Sequence, residues 1–420
     1  MSRFSWFALV AALFAGLASA QSLVFLSTQA TPIEEAQAMR QILAGFTHPV
    51  EFISQDGGPF NDRITAETRA GRGTVGVIGT LHGDYPPFLQ LGALQPLDDL
   101  AAELAGRGFQ QVFMETGRLG TDTQYYLPWM QATYIMAAHK QALPYLPAGV
   151  DLNALTYAQL AEWAANVHEA TGDRLLGFPG GGLMHRFFQG YLYPSFTGAV
   201  VTEFRSAAAE TMWAEFRDLW QHVNPRSSTY AFMQEPLLAG EVWIAFDHTA
   251  RLLDALTQRP DDFVTFPAPT GPEGLGFMPV LAALGVPTYS PDAALARQLI
   301  SYLTSPEVQV SVLRVTGFFP VVHAELPSDL PPGIRLAGEA IAHQAGSPNA
   351  LLSLLPVGLG AQGGEFNKVF NDTFARIVLR GEDIRAVLDQ EARNLQAVMD
   401  LSGAPCWAPD PPSAGTCQVR

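Results

Sequence analysis

The chain has 420 residues with 48% apolar side chains, enough to bury a sizeable core in two domains or one large one. Forty acidic against twenty-four basic residues leave a net charge of −16, which argues against a nucleic-acid partner. Solubility alone is a sufficient reason for that charge.

Residues 1–20, MSRFSWFALVAALFAGLASA, combine Arg3, a short apolar stretch and an A-S-A end. This is the pattern of a secretory signal peptide, with cleavage expected between Ala20 and Gln21. The stretch is short for a bilayer span, and Gln21 in place of cysteine removes the expectation of a lipid anchor. An exported, soluble mature protein is expected.

SLVFLS then reads as a buried strand, and TQATPIEEAQAMRQILAGF as a helix opened by Thr31-Pro32 with Glu34 and Glu35 in its first turn. VEFIS is a second strand, QDGGPFNDRITAETRAG a loop and helix, and TVGVIG a third strand running into TLHGDYPP. Such alternation predicts a parallel α/β sheet. LTYAQLAEWAANVHEATG carries Thr156 and Gln159 at capping-box spacing and Gly172 as a stop. RLLGF is a strand entering PGGGLMHR. AAAETMWAEFRDLWQHV puts Met212, Phe216 and Leu219 on one helical face.

GEVWIAFDHTARLLDAL is predicted as a strand over Glu241–Phe246, with Asp247-His248 at its carboxyl end and a helix from Thr249. DDFVTFPAPTGPEG is a strand followed by a Pro/Gly loop. PVLAALGVP is a strand, and SPDAALARQLISYLTSPEVQVSVLRVTG two helices with Ser290-Pro291 and Ser305-Pro306 starts and a Gly317 stop. FFPVV leads to a mainly helical C-terminal stretch. Cys406 and Cys417 stand in CWAPDPPSAGTC, where export predicts a disulfide. Closing so short a loop contributes about 3 kcal/mol at most, and only to the tail.

Catalytic arrangements are missing. There is no phosphate loop, no H-E-x-x-H and no G-x-S-x-G elbow. The histidines show no metal-ligand spacing. No cofactor, metal or catalytic residue is expected. Paired carboxylates of a glycoside hydrolase are set in three dimensions and stay open at this point. The glycines around Gly181 read as a tight turn needing positive φ, or as backbone N–H groups facing a ligand.

Several stretches together resemble the extracellular solute-binding proteins of ABC importers, in the carbohydrate-binding group. YYLPWMQATYIMAAHKQAL is similar to that family's crossing segment, LTYAQLAEWAANV to its P-x-T-W-x-E-L helix and LLAGEVWIAFDHTA to its F-x-x-G-K-A-A-M-x-x-x-G stretch. The block from FPAPTGPEG to TGFFPVV is similar to P-x-P-x-G, a glycine-flanked strand, an S-P-E helix and T-G-x-x-P. His139-Lys140 departs from the usual Asn-Lys, and Asp247 from a small residue. The resemblance covers nearly the whole mature chain.

It implies a two-lobed α/β periplasmic-binding-protein fold, each lobe a mostly parallel sheet flanked by helices. The implied lobes are 21–128 with 279–323 and 129–278 with 324–420, hinged near Pro128, Met278 and Val322. Ligands of open α/β sheets sit at strand carboxyl ends, so Asp247-His248 would stand at the cleft. A sugar needs two-sided hydrogen-bonders and flat apolar plates. Strand ends and crossings offer Gln29, Asp56, His82, Asp84, Tyr85, Trp129, Gly181, Asp247, His248, Phe277, Arg314 and Phe318.

Each of these has a plainer reading. Trp129 and Phe277 suit a core; Asp84 suits a cap of the turn before Pro86, and Asp56 an Asx turn. Asp247 suits a helix N-cap, His248 a solvated helix residue and Arg314 a surface or lobe-bridging charge. The expected function is capture of a mono- to oligosaccharide by a monomer and delivery to a membrane permease, without chemistry. The alternatives are a cationic ligand such as a polyamine, or an exported glycoside hydrolase.

Overall fold

The computed structural model describes residues 22–31 and 33–420. The signal-peptide reading of residues 1–20, the cleavage point at Gln21 and the Pro32 helix start lie outside them. Among the described residues no helix is long and apolar enough to cross a membrane.

Two main sheets organise the chain. The first contains β1 (Leu23–Ser27), β2 (Val50–Ser54), β3 (Val75–Leu81), β4 (Leu127–Ala132) and β10 (Val280–Gly285), in the order β2-β1-β3-β10-β4. The second contains β5 (Tyr134–His139), β6 (Leu176–Gly177), β7 (Ile244–His248) and β8 (Phe263–Phe266), in the order β6-β7-β5-β8. A small ladder joins β9 (Leu275–Phe277) to β11 (Ala350–Leu352). The α/β, two-lobed architecture is therefore as expected.

The strand directions differ from expectation, since the sheets are mixed rather than mostly parallel. β1 pairs β2 and β3 in parallel, but β10 runs antiparallel to both β3 and β4. In the second sheet β5 is antiparallel to β7 and β8, and only the short β6 is parallel to β7. Parallel neighbours need a long crossover, whereas strands that enter from the other lobe are free to arrive in the opposite sense.

Local signals act as their chemistry requires. Thr156 Oγ1 accepts from Gln159 N at 3.1 Å and Gln159 Oε1 accepts from Thr156 N at 2.9 Å, closing the capping box of the helix Tyr157–Thr171. Gly172 and Gly317 end their helices with φ of 80° and 71°. The helix Ala293–Leu303 starts later than Ser290-Pro291 predicts. Asp292 Oδ1 caps it by accepting from Leu295 N at 2.9 Å, and the Ser290 hydroxyl donates instead to the Gly76 carbonyl.

The chain passes between the main sheets at Thr133, and the crossings are laced together. Thr133 Oγ1 donates to the Met278 carbonyl at 2.9 Å. Gln131 and Phe319 exchange backbone hydrogen bonds, and Gln131 Nε2 adds one to the Pro320 carbonyl at 2.9 Å. A fourth contact is made by the segment 353–358. Ser353 N donates to the Phe277 carbonyl, and Gly358 N donates at 3.1 Å to the Gly83 carbonyl of the first lobe.

The disulfide between Cys406 and Cys417 forms. The tail that carries it is a packed part of the molecule, not an appendage. Cys417 and Trp407 are buried, Trp407 lies against Phe366, and the Ala408 carbonyl accepts from Leu354 N at 2.9 Å.

Candidate functional site

The carboxyl ends of β1 and β3 are adjacent because Ser27 pairs with Gly79. That register sets Thr28 beside Thr80, their hydroxyls 2.9 Å apart. Gln29 Nε2 donates to Thr28 Oγ1 at 3.0 Å, and Thr80 Oγ1 donates to Asp84 Oδ2 at 2.6 Å. One hydrogen-bond chain thus joins Gln29 to Asp84. Ala30, with φ of 57°, holds a left-handed conformation costly for a residue with a Cβ.

His82 precedes this carboxylate in the turn His82–Asp84. It is 3% exposed, and neither ring nitrogen has a hydrogen-bond partner. Burial lowers its pKa to about 4, with the nearby backbone of Leu281 and Leu355 opposing the shift. Burial raises the Asp84 pKa, against the Thr80 hydrogen bond and the positive charge of Arg186.

Arg186 belongs to the second lobe, on the helix opening at Met184. Its Nη1 donates to Gln189 Oε1 at 3.1 Å, and Gln189 Nε2 donates to Asn367 Oδ1 at 3.0 Å. Nearby, Arg251 sits over the Phe232 ring with its guanidinium carbon 4.5 Å from the centroid. Its charge acts on Asp247, His248 and, in the first lobe, Glu35. Glu35 has its pKa raised by burial. The charge of Arg186 thus reaches Asp84, and that of Arg251 reaches Glu35, from the other lobe.

At the end of β7 the two polar residues take different jobs. His248 packs edge-on to Tyr134 at 5.1 Å and lies 5.9 Å from Phe318. Its Nδ1 accepts from Ala250 N at 3.3 Å, which leaves the proton on Nε2. So His248, not Asp247, caps the turn that follows. Asp247 accepts from Met233 N at 2.9 Å and from His248 N at 2.7 Å, and burial raises its pKa to about 7.

Burial holds the His248 pKa at about 3, below its ordinary 6.5. A depressed histidine contributes stability that is complete above 6.5 and is lost as pH falls, because the unfolded chain takes up the proton first. Between pH 6.5 and 5, ligand-free protein should lose about 2 kcal/mol relative to His248→Gln. Urea unfolding of both at the two pH values checks this; a constant gap would show that the ring titrates normally.

Gln29 and Asp84 share one hydrogen-bond chain at the strand ends of the first sheet, with His82 in the same turn, while Asp247, His248 and Phe318 gather at the end of β7 and Phe277 is half-buried beside the segment that begins at Ser353. Others lie elsewhere. Tyr85 is core, its hydroxyl donating to the Ala283 carbonyl at 2.8 Å and its ring against Tyr126. Trp129 is also core, fully buried against Phe25 at 5.3 Å, because β4 continues in the first sheet to Ala132 and turns this side chain inward. Arg314 is exposed and pairs with Asp329 at 2.9 Å. Asp56 is exposed before the helix Gly57–Ala70 and forms no capping bond.

The reason for the glycine run at Gly181 is not positive φ. A Cβ on Gly180, Gly181 or Gly182 would stand 2.5, 2.6 and 2.2 Å from the carbonyl oxygens of Ser227, Thr229 and Ala231. The N–H groups are spent on backbone carbonyls, that of Gly181 on Tyr230 at 2.9 Å. Close backbone approach demands these glycines.

Arg186, Arg251, His185 and Glu35 escaped the sequence reading. The available signal was the basic pair His185-Arg186 opening a helix after a strand and a turn. Among the described residues no group of three His, Cys, Asp or Glu is placed to hold a metal ion. A groove of about 440 Å³ between the helices Tyr157–Thr171 and Ala207–Trp220 shares no residue with the cleft.

Solved structures share this architecture. The acarbose-binding GacH receptor of Streptomyces glaucescens is 19% identical, with 91% of this chain and 98% of that one covered and a TM-score of 0.69. Maltose-bound MalE3 of T. maritima is 19% identical over 90% and 99%, with a TM-score of 0.70. UgpB of Mycobacterium tuberculosis, in complex with glycerophosphocholine, is 18% identical over 91% and 99%, with a TM-score of 0.68. No curated protein matches the chain in sequence. The family model for bacterial extracellular solute-binding proteins matches residues 30–310, and the chain belongs to that family.

Proposed function

We propose that the chain captures a carbohydrate in the cleft and delivers it to the membrane subunits of an ABC importer. The family is one of binding proteins, in keeping with a role without chemistry. The two lobes, with the first crossing at Thr133 rather than at 128, would close about the ligand, shifting the population toward the form the permease reads. The protein would act as an exported monomer.

The observation that carries this reading is the chain Gln29–Thr28–Thr80–Asp84, which gathers amide, hydroxyl and carboxyl groups within range of the Arg186 charge. Donors and acceptors on opposite walls suit hydroxyls, which use both. Two guanidiniums in the cleft disfavour a polyamine, because like charges repel. Acarbose and maltose in structurally similar proteins agree with a saccharide.

A thermal-shift screen against neutral and acidic mono- to tetrasaccharides tests it. A ligand at a hundredfold its Kd should stabilise the protein by about 2.7 kcal/mol. No shift with any saccharide, alongside a shift with spermidine, would replace this reading by the cationic one.

A further inference from the structure

We propose that the ligand is an acidic carbohydrate whose carboxylate or phosphate group is held between Arg186 and Arg251. This rests on the carbohydrate reading of the cleft and narrows it. The starting point is how the partly buried guanidiniums of this protein are satisfied. Arg107 donates to Ser301 and Thr304, and Arg376 pairs with Glu382 and Glu391. The two in the cleft are different. Arg186 has Gln189 alone, and Arg251 has the Phe232 face but, among the described residues, no hydrogen-bond acceptor.

A guanidinium presents five donors in a rigid fork that fits a carboxylate or a phosphate in two-point contact. Holding one away from water without acceptors is costly, and an anion brought by the ligand removes that cost. Both charges act on the same two groups, the Tyr134 phenol and the His185 ring, so they converge on one part of the cleft.

The buried histidines point the same way. His185 is 8% exposed with Nδ1 unpartnered, and His82 is 3% exposed, its ring beside the backbone of Leu281 and Leu355 without good hydrogen-bond geometry. Buried polar atoms without partners are uncommon in folded proteins, and beside the two guanidiniums a bound group is one source of the missing partner. Here they stand within range of Arg186.

The neighbouring carboxylates do not complete the guanidiniums. Asp247 spends both oxygens on backbone N–H groups, and Asp84 spends one on Thr80. Burial discourages ionisation of Asp84, Asp247 and Glu35 alike. Positive charge is thus left over for the ligand.

Titration calorimetry on the whole protein tests this with matched probes: glucose, glucuronate and glucose 6-phosphate, then maltose and digalacturonate, at 50 and 500 mM salt. An acidic sugar should bind at least tenfold more tightly than its neutral counterpart, and more weakly at the higher salt. The glucuronate and phosphate arms tell the two anions apart. Arg186→Gln and Arg251→Gln should each weaken the acidic ligand about a hundredfold, a larger loss than its neutral counterpart suffers, and should flatten its salt dependence. Arg186→Lys, which keeps the charge without the fork, should fall between. A neutral sugar bound as tightly as its acidic counterpart overturns this inference and leaves carbohydrate capture standing. Absence of binding by every sugar overturns both.

Discussion

Asp410→Ala should lower the stability of the folded chain by about 4 kcal/mol or more, the largest effect expected of any single change discussed for this protein. The Asp410 carboxylate is 3% exposed and accepts from Val200 N, Val201 N, Thr202 N and Thr202 Oγ1 at 2.6–3.1 Å. Alanine removes the acceptor and leaves four donors in a buried place, each costing about 1–3 kcal/mol. The loss should spread beyond the tail, since the neighbouring Ala408 carbonyl anchors Leu354 at the start of the segment that reaches Gly83. Guanidinium unfolding followed by circular dichroism provides the measurement. A midpoint equal to the parent's would mean that the tail is energetically separate from the lobes.

The second large effect is expected at Gly83. An alanine Cβ there would stand 2.0 Å from the Pro356 carbonyl oxygen and 3.1 Å from its carbon. Backbone cannot swing aside as a flexible side chain can, so the turn His82–Asp84 and the segment 353–358 must part. Overpacking of this kind costs about 1–3 kcal/mol. Because His82 and Asp84 flank the glycine, Gly83→Ala should also weaken ligand binding by at least tenfold. Gly58→Ala provides a control: nothing lies within 4 Å of its would-be Cβ, and it sits in the first turn of the helix Gly57–Ala70. It should be neutral or stabilising by up to about 1 kcal/mol. Equal melting temperatures for Gly83→Ala and the parent would show that the lobes do not rely on this contact.

The glycine contacts separate two kinds of information. Gly172 and Gly317 were readable as helix stops because a left-handed residue after a helix is a local requirement. Gly83 and the run Gly180–Gly182 are required by backbone that approaches from far along the chain, and nothing beside them in sequence announces it.

The cleft divides in the same way. Gln29, His82, Asp84 and His248 follow apolar strands, and a polar residue leaving a buried strand is a local signature of a strand end. Tyr85 and Trp129 carry the same signature but turn inward. Which face of the pleat a side chain takes is set by where its strand ends and what packs on it. Arg186 and Arg251 were invisible because their significance lies in having no carboxylate against them, a property of three-dimensional neighbours.

By itself, the sequence determined the order of strands and helices, the capping box at Thr156, the cysteine pair and the family. All of these arise from chemistry between residues a few positions apart or from their order. Tertiary structure alone decided the mixed strand directions, the buried tail and the acceptor-poor surroundings of Arg186 and Arg251. Those depend on contacts between distant segments, whose energies exist only once the chain has closed the loops between them.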